Sequence, residues 1–169
     1  MSKLNSELYN KQVRRNNKYK NVVDLLCYAN INGKKAAEYK IFDNIKDLIV
    51  FAAMVGKKFE KTEEVESKNN TSIVLGTFSG SGSTKNSRVD QHNIIFMFGL
   101  LIHKDMKYLR DENIGECISL FEKYSNGGLS IIHDWLNQAT WRVDVLIEKI
   151  SDHLPLDSVG LDLDENPFS

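Results

Sequence analysis

Asp43-Asn44-Ile45-Lys46-Asp47-Leu48-Ile49-Val50-Phe51-Ala52-Ala53-Met54-Val55-Gly56-Lys57-Lys58 reads as a helix with both ends marked. Asp43 or Asn44 can accept a bond from a free amide of the first turn and so cap the N-terminus. Asp47 falls in that turn, where the helix dipole favours an anion. Ile45, Leu48, Ile49, Ala52, Met54 and Val55 form a broad apolar stripe. Gly56 is placed as a C-terminal stop, with Lys57 and Lys58 at the negative end of the dipole. A second stretch, Phe121-Glu122-Lys123-Tyr124-Ser125-Asn126-Gly127-Gly128-Leu129, reads as the end of another helix. That helix starts near Glu112 and carries Ile114, Cys117, Ile118, Phe121 and Tyr124 at helical spacing. Gly127 and Gly128 accept the left-handed geometry of a C-cap.

On either side of these stretches the pattern is also helical. Val22 to Ala29 is a short helix, Asn30 to Gly33 a turn, and Lys34 to Lys40 a further helical turn. Val89 to His103 is apolar almost all round, which predicts a helix at the centre of a bundle. A last helix runs from Leu129 to His153, stopped by Leu154-Pro155. Between the quoted stretches, Phe59 to Arg88 begins charged and ends rich in Gly and Ser. It predicts a long loop. Ile73, Val74, Leu75 and Phe78 could form a strand there, but no partner strand stands out. The expected fold is therefore all-α or mostly so: a compact bundle of about five helices with a long central loop and room for one minor strand or hairpin. Its organisation is a basic polar arm (1–21), a helical domain (22–154) containing the loop 59–88, and an acidic tail (155–169).

The chain has 169 residues, 41% apolar and 27% charged, enough for one domain with a core that needs neither disulfide nor metal. Cys27 and Cys117 each fall in an apolar helical pattern, the usual setting of a buried free thiol. No signal peptide and no run of roughly 18 apolar residues is present, so the expectation is a cytoplasmic protein with no membrane association. The formal net charge of -1 hides an asymmetry. Residues 1–40 hold nine basic and three acidic side chains; residues 151–169 hold five acidic and no Lys or Arg.

Catalytic patterns fail one by one. Gly76-Thr77-Phe78-Ser79-Gly80-Ser81-Gly82-Ser83-Thr84-Lys85 follows a possible strand, as a phosphate loop would. Its Lys85 comes after the hydroxyl residues, and the required glycine spacing is missing. His92, His103, His133 and His153 show no paired metal-ligand spacing. Asp111 with Glu112 suits a helix N-terminus. Asp162, Asp164 and Glu165 lie in the tail, not on the rigid elements a two-metal site needs. No serine elbow is present. The expectation is a protein that is not an enzyme, with no cofactor and no metal.

Binding residues are easier to nominate. Lys11, Arg14, Arg15, Lys18 and Lys20, with Tyr9 and Tyr19 nearby, are the candidate DNA contacts; such a segment follows phosphates and reads no bases. Trp141 beside Arg142 is a candidate partner contact. So are Asp162, Asp164 and Phe168 in the tail, whose last residues are similar to the acidic, Pro-Phe-ending tip of bacterial single-stranded-DNA-binding proteins, with Ser169 as the departure.

Taken together, Ile45 to Lys58, Leu109-Arg110-Asp111 and Phe121 to Leu129 resemble the Dnd system-associated protein 4 family, small bacterial proteins found beside the genes for DNA phosphorothioation. The resemblance covers roughly Lys40 to Leu136. The Gly- and Ser-rich segment departs from it, which leaves a sister family in another defence system as the alternative. The motifs contain no catalytic residue to carry over. The resemblance implies a non-enzymatic accessory subunit of an anti-phage or DNA-modification-linked complex. Its partner would be a large coiled-coil ATPase of the structural-maintenance type, a helicase or a nuclease, which it would help to engage DNA. A stand-alone, homo-oligomeric DNA-binding module is the other reading.

Overall fold

The computed structural model describes residues 6–79 and 91–153. The chain is mostly helical, with two small two-stranded sheets. In order come α1 (Ser6–Tyr9), β1 (Gln12–Asn16), α2 (Lys20–Tyr28), β2 (Asn30–Ile31), β3 (Lys34–Lys35), α3 (Ile45–Lys58), β4 (Asn70–Val74), α4 (His92–His103), α5 (Ile114–Gln138) and α6 (Val145–His153).

The central element is α5, not α4. Its 25 residues run unbroken through Asn126-Gly127-Gly128, so the expected helix end there is corrected. Each residue of that motif meets a different neighbour. Ser125 Oγ donates to the Ile49 carbonyl of α3 at 3.4 Å. Asn126 Oδ1 accepts from the Asn16 backbone N–H of β1 at 2.8 Å. A Cβ on Gly127 would lie 2.0 Å from the Lys61 carbonyl oxygen, and one on Gly128 would lie 1.7 Å from that of Ala52. Gly56 is likewise no stop: α3 continues to Lys58, and a Cβ at Gly56 would lie 2.0 Å from the Tyr124 carbonyl oxygen. Ala52 with Gly56, and Tyr124 with Gly128, are four apart and share a helix face. The two backbones therefore touch directly, without side chains between them. Asn44 caps α3 by its extended backbone but not by its side chain, whose Nδ2 donates to Asp47 at 3.1 Å.

The expected helix from Leu129 to His153 is two helices. The chain breaks after Gln138, where Thr140 and Trp141 adopt left-handed backbone (φ 55° and 62°), and α6 then folds back. Lys34 to Lys40 does not form a helical turn. Asn32 and Gly33, both at positive φ, close a small β2–β3 hairpin instead.

The strand around Ile73 does have a partner, near the N-terminus. β1 and β4 pair antiparallel, with Val13 opposite Ile73 and Arg15 opposite Thr71. Residues 12–16 are thus part of the domain and not of an arm. The segment 59–69 is no free loop either: Glu63 N–H donates to the Lys123 carbonyl at 3.0 Å, and the Lys123 ammonium pairs with Glu64 at 2.8 Å. Beyond β4, the fully buried Leu75 and Phe78 plug the core, Phe78 edge-on to Phe121 at 6.2 Å. Residues 80–88 of the expected loop, and the tail from residue 154, lie outside the described residues. Both cysteines are buried and free, as expected.

Candidate interaction surface

Of the five basic residues nominated near the N-terminus, only Lys11 is exposed and without a charged partner among the described residues. The pairing of β1 with β4 and α5 fixes Arg14 and Arg15, and ion pairs hold Lys18 and Lys20. Alternation along β1 points Arg14 and Arg15 to opposite faces. The Glu122 carboxylate, 2% exposed, accepts three bonds from Arg14: from its backbone N–H at 2.8 Å and from Nε and Nη2 at 3.1 Å each. That hydrogen bond and charge hold the Arg14 guanidinium above its ordinary pKa. Arg15 points inward, 8% exposed, and its Nε and Nη1 have no hydrogen-bond partner among the described residues. Burial pushes its pKa down, against the smaller attraction of Asp24. Lys18 pairs with Glu63 at 3.1 Å and Glu66 at 3.7 Å. Lys20 pairs with Asp24 one helical turn on.

Behind this rim is a polar knot that no sequence pattern announces. Asn16, wholly buried, donates from Nδ2 to Glu63 Oε1 at 2.7 Å and to the Glu64 carbonyl at 2.9 Å, while its Oδ1 accepts from Glu66 N–H at 2.7 Å. The Tyr19 hydroxyl donates to the other Glu63 oxygen at 2.5 Å. Burial, then that bond, raises the Tyr19 pKa to about 12. The knot straps residues 63–66 to β1 and α5. Both polar atoms of the Asn16 amide are paired within it. Among the described residues no group of three or more His, Cys, Asp or Glu could hold a metal ion.

Trp141 packs half-buried in the α5–α6 break, its backbone N–H donating to the Leu136 carbonyl at 2.7 Å and its ring edge-on to His133 at 5.6 Å. Arg142 is exposed and reaches Asp144 at 3.7 Å and Glu148 at 4.0 Å. Asp162, Asp164 and Phe168 lie outside the described residues.

Two open apolar grooves lie elsewhere among the described residues. One groove of about 470 Å³ runs between α3 and α4, lined by Met54, Lys57, Lys58, Ile94, Met97, Phe98 and Leu101. Another, of about 320 Å³, is bounded by α3, α5 and α6 and lined by Phe51, Met54, Val55, Lys58, Phe59, Trp135, Lys149, Ile150 and His153. They meet at Met54 and Lys58, which line both. Met54, Met97 and Leu101 are each 52% exposed. A cluster of half-exposed methionines is a soft surface that adapts to a partner. The signal in the sequence is the all-round apolar character of α4, which predicts a central position. The structure corrects this: α4 is peripheral, with one apolar face against α5 and another that no described residue covers.

No helix among the described residues is long and apolar enough to cross a membrane. No match to a curated protein or to a solved structure was found. A family model described as DNA sulphur modification system-associated protein 4 matches residues 12–157, from the first strand through the last described helix. The β1 strand, the α3–α5 crossing and the Ser125-to-Gly128 hub all fall within that span, and the chain belongs to the DNA sulphur modification system-associated protein 4 family.

Proposed function

We propose that this chain is a non-enzymatic accessory subunit of a complex linked to DNA sulphur modification and anti-phage defence. It docks a large ATPase or nuclease of that system through the α3–α4 groove and helps that partner engage DNA. The observation that carries the reading is the uncovered apolar face of α4. Met97 and Leu101 stand half-exposed beside Met54, rimmed by Lys57 and Lys58. Such a patch suits a protein partner better than a small substrate, because it offers apolar contact area and few polar groups to orient a reacting molecule. Family membership supplies the system in which that partner is sought. The test is co-purification of the full chain with the proteins encoded beside it. A large partner is expected to be recovered with the wild type and lost with Met97→Asp plus Leu101→Asp. Both positions are exposed, so the fold tolerates the change, which circular dichroism verifies. Recovery of the wild-type chain alone would count against the subunit reading.

A further inference from the structure

The groove between α3, α5 and α6 has an occupant written into the same chain. The groove wall is apolar, with Met54, Phe59 and Trp135 on its sides. Its rim carries Lys58 and Lys149, neither of which has an acidic partner among the described residues. His153, the last described residue, itself lines the groove and stacks edge-on against Phe59 at 4.8 Å. The chain therefore leaves α6 inside the groove. It continues as Leu154-Pro155-Leu156-Asp157-Ser158-Val159-Gly160-Leu161-Asp162-Leu163-Asp164-Glu165, with four acidic residues and no basic one.

We infer that residues 154–165 seat in this groove in cis, leucines against Met54, Phe59 and Trp135 and carboxylates toward Lys58 and Lys149. Leu161-Asp162-Leu163-Asp164 alternates, so an extended backbone sends its leucines to one side and its aspartates to the other. Reach is ample. Three extended residues span about 10 Å, the distance between the axes of packed helices, so Leu156 already reaches the α3 side. Charge complementarity selects the tail over the basic N-terminal segment as occupant. A lysine rim around an apolar floor matches an acidic, leucine-bearing strand and repels a cationic one. This groove adjoins the one proposed for the partner and shares Met54 and Lys58 with it, while Phe59, Trp135 and Lys149 line this one alone. The tail's seating is read in the isolated chain and so stands or falls apart from that partner.

The test uses the full chain with the photo-crosslinking residue benzoylphenylalanine at position 54. Crosslinks are mapped by mass spectrometry in a mixture of isotopically light and heavy copies. The expected result is crosslinks from position 54 to residues 154–165 within one copy. Lys58→Glu with Lys149→Glu should lower their yield by about fivefold, the sum of two modest exposed ion pairs turned repulsive. Asp162→Lys with Asp164→Lys in that background should restore it. Absence of tail crosslinks, crosslinks chiefly between light and heavy copies, or a yield indifferent to the charge reversal would each overturn the inference.

Discussion

Among single side chains, Arg15 is the one whose charge is hardest to reconcile with its place. Its Nε and Nη1 are buried without a partner among the described residues, which carries a desolvation penalty. Asp24 is near enough to attract it, but pairs instead with Lys20. The neighbouring Arg14 shows the contrast, since its guanidinium closes a fork on a carboxylate that is itself buried. Arg15→Met keeps length and stem packing while removing the unpaired charge. Its expected effect is to hold or raise stability, by up to about 2 kcal/mol, measured by urea unfolding. A loss of similar size would show the guanidinium forming bonds that the geometry here does not contain. Nothing in Arg14-Arg15 as a dipeptide distinguishes the two. Their opposite fates follow from β1 pairing with β4, more than fifty positions downstream, and that pairing has no local signature.

Helices and their crossings are legible in part, and the misread glycines share one cause. The apolar period places α2, α3 and α4 correctly, because burial on one face is a local pattern. Glycine is ambiguous at that level: it marks a left-handed C-cap or a point where another backbone comes close, and only the partner element tells which. Gly56, Gly127 and Gly128 are all of the second kind. The same helix supplies a control. Gly115, near the start of α5, has nothing within 4 Å of a Cβ. Gly115→Ala should stabilise the protein by about 0.5 kcal/mol through helix propensity. Gly128→Ala should destabilise it by roughly 3 kcal/mol or more, the scale of an overpacked core, since α3 must move away from α5 to admit the methyl group. Thermal unfolding of both variants decides the matter. Equal and small effects would mean that α3 and α5 do not cross at backbone contact.

For the whole molecule, charge decides between subunit and stand-alone DNA binder. The sequence shows a basic head, and counting cations there suggests a phosphate-tracking surface. The fold turns four of the five nominated cations inward or onto carboxylates: Arg14 on Glu122, Lys18 on Glu63 and Glu66, Lys20 on Asp24, Arg15 into the interior. Composition cannot reveal that the acidic partners of Arg14 and Lys18 come from α5 and residues 63–66, brought there by tertiary structure; Asp24, one turn from Lys20 in α2, is the local exception. A protein binds DNA by releasing counterions with cations free to meet phosphates, and the affinity falls with salt in proportion to their number. With Lys11 as the one cation of the set both exposed and without a charged partner among the described residues, and a formal net charge of -1, the isolated chain should bind duplex DNA weakly. In a fluorescence-anisotropy titration between about 50 and 200 mM salt, the slope of log K against log salt should not exceed about one contact's worth in magnitude. A slope equivalent to four or five phosphates would require the Arg14, Lys18 and Lys20 pairs to open on binding. It would then be abolished by Arg14→Gln with Lys18→Gln, and would restore the stand-alone DNA-binding reading at the expense of the subunit one.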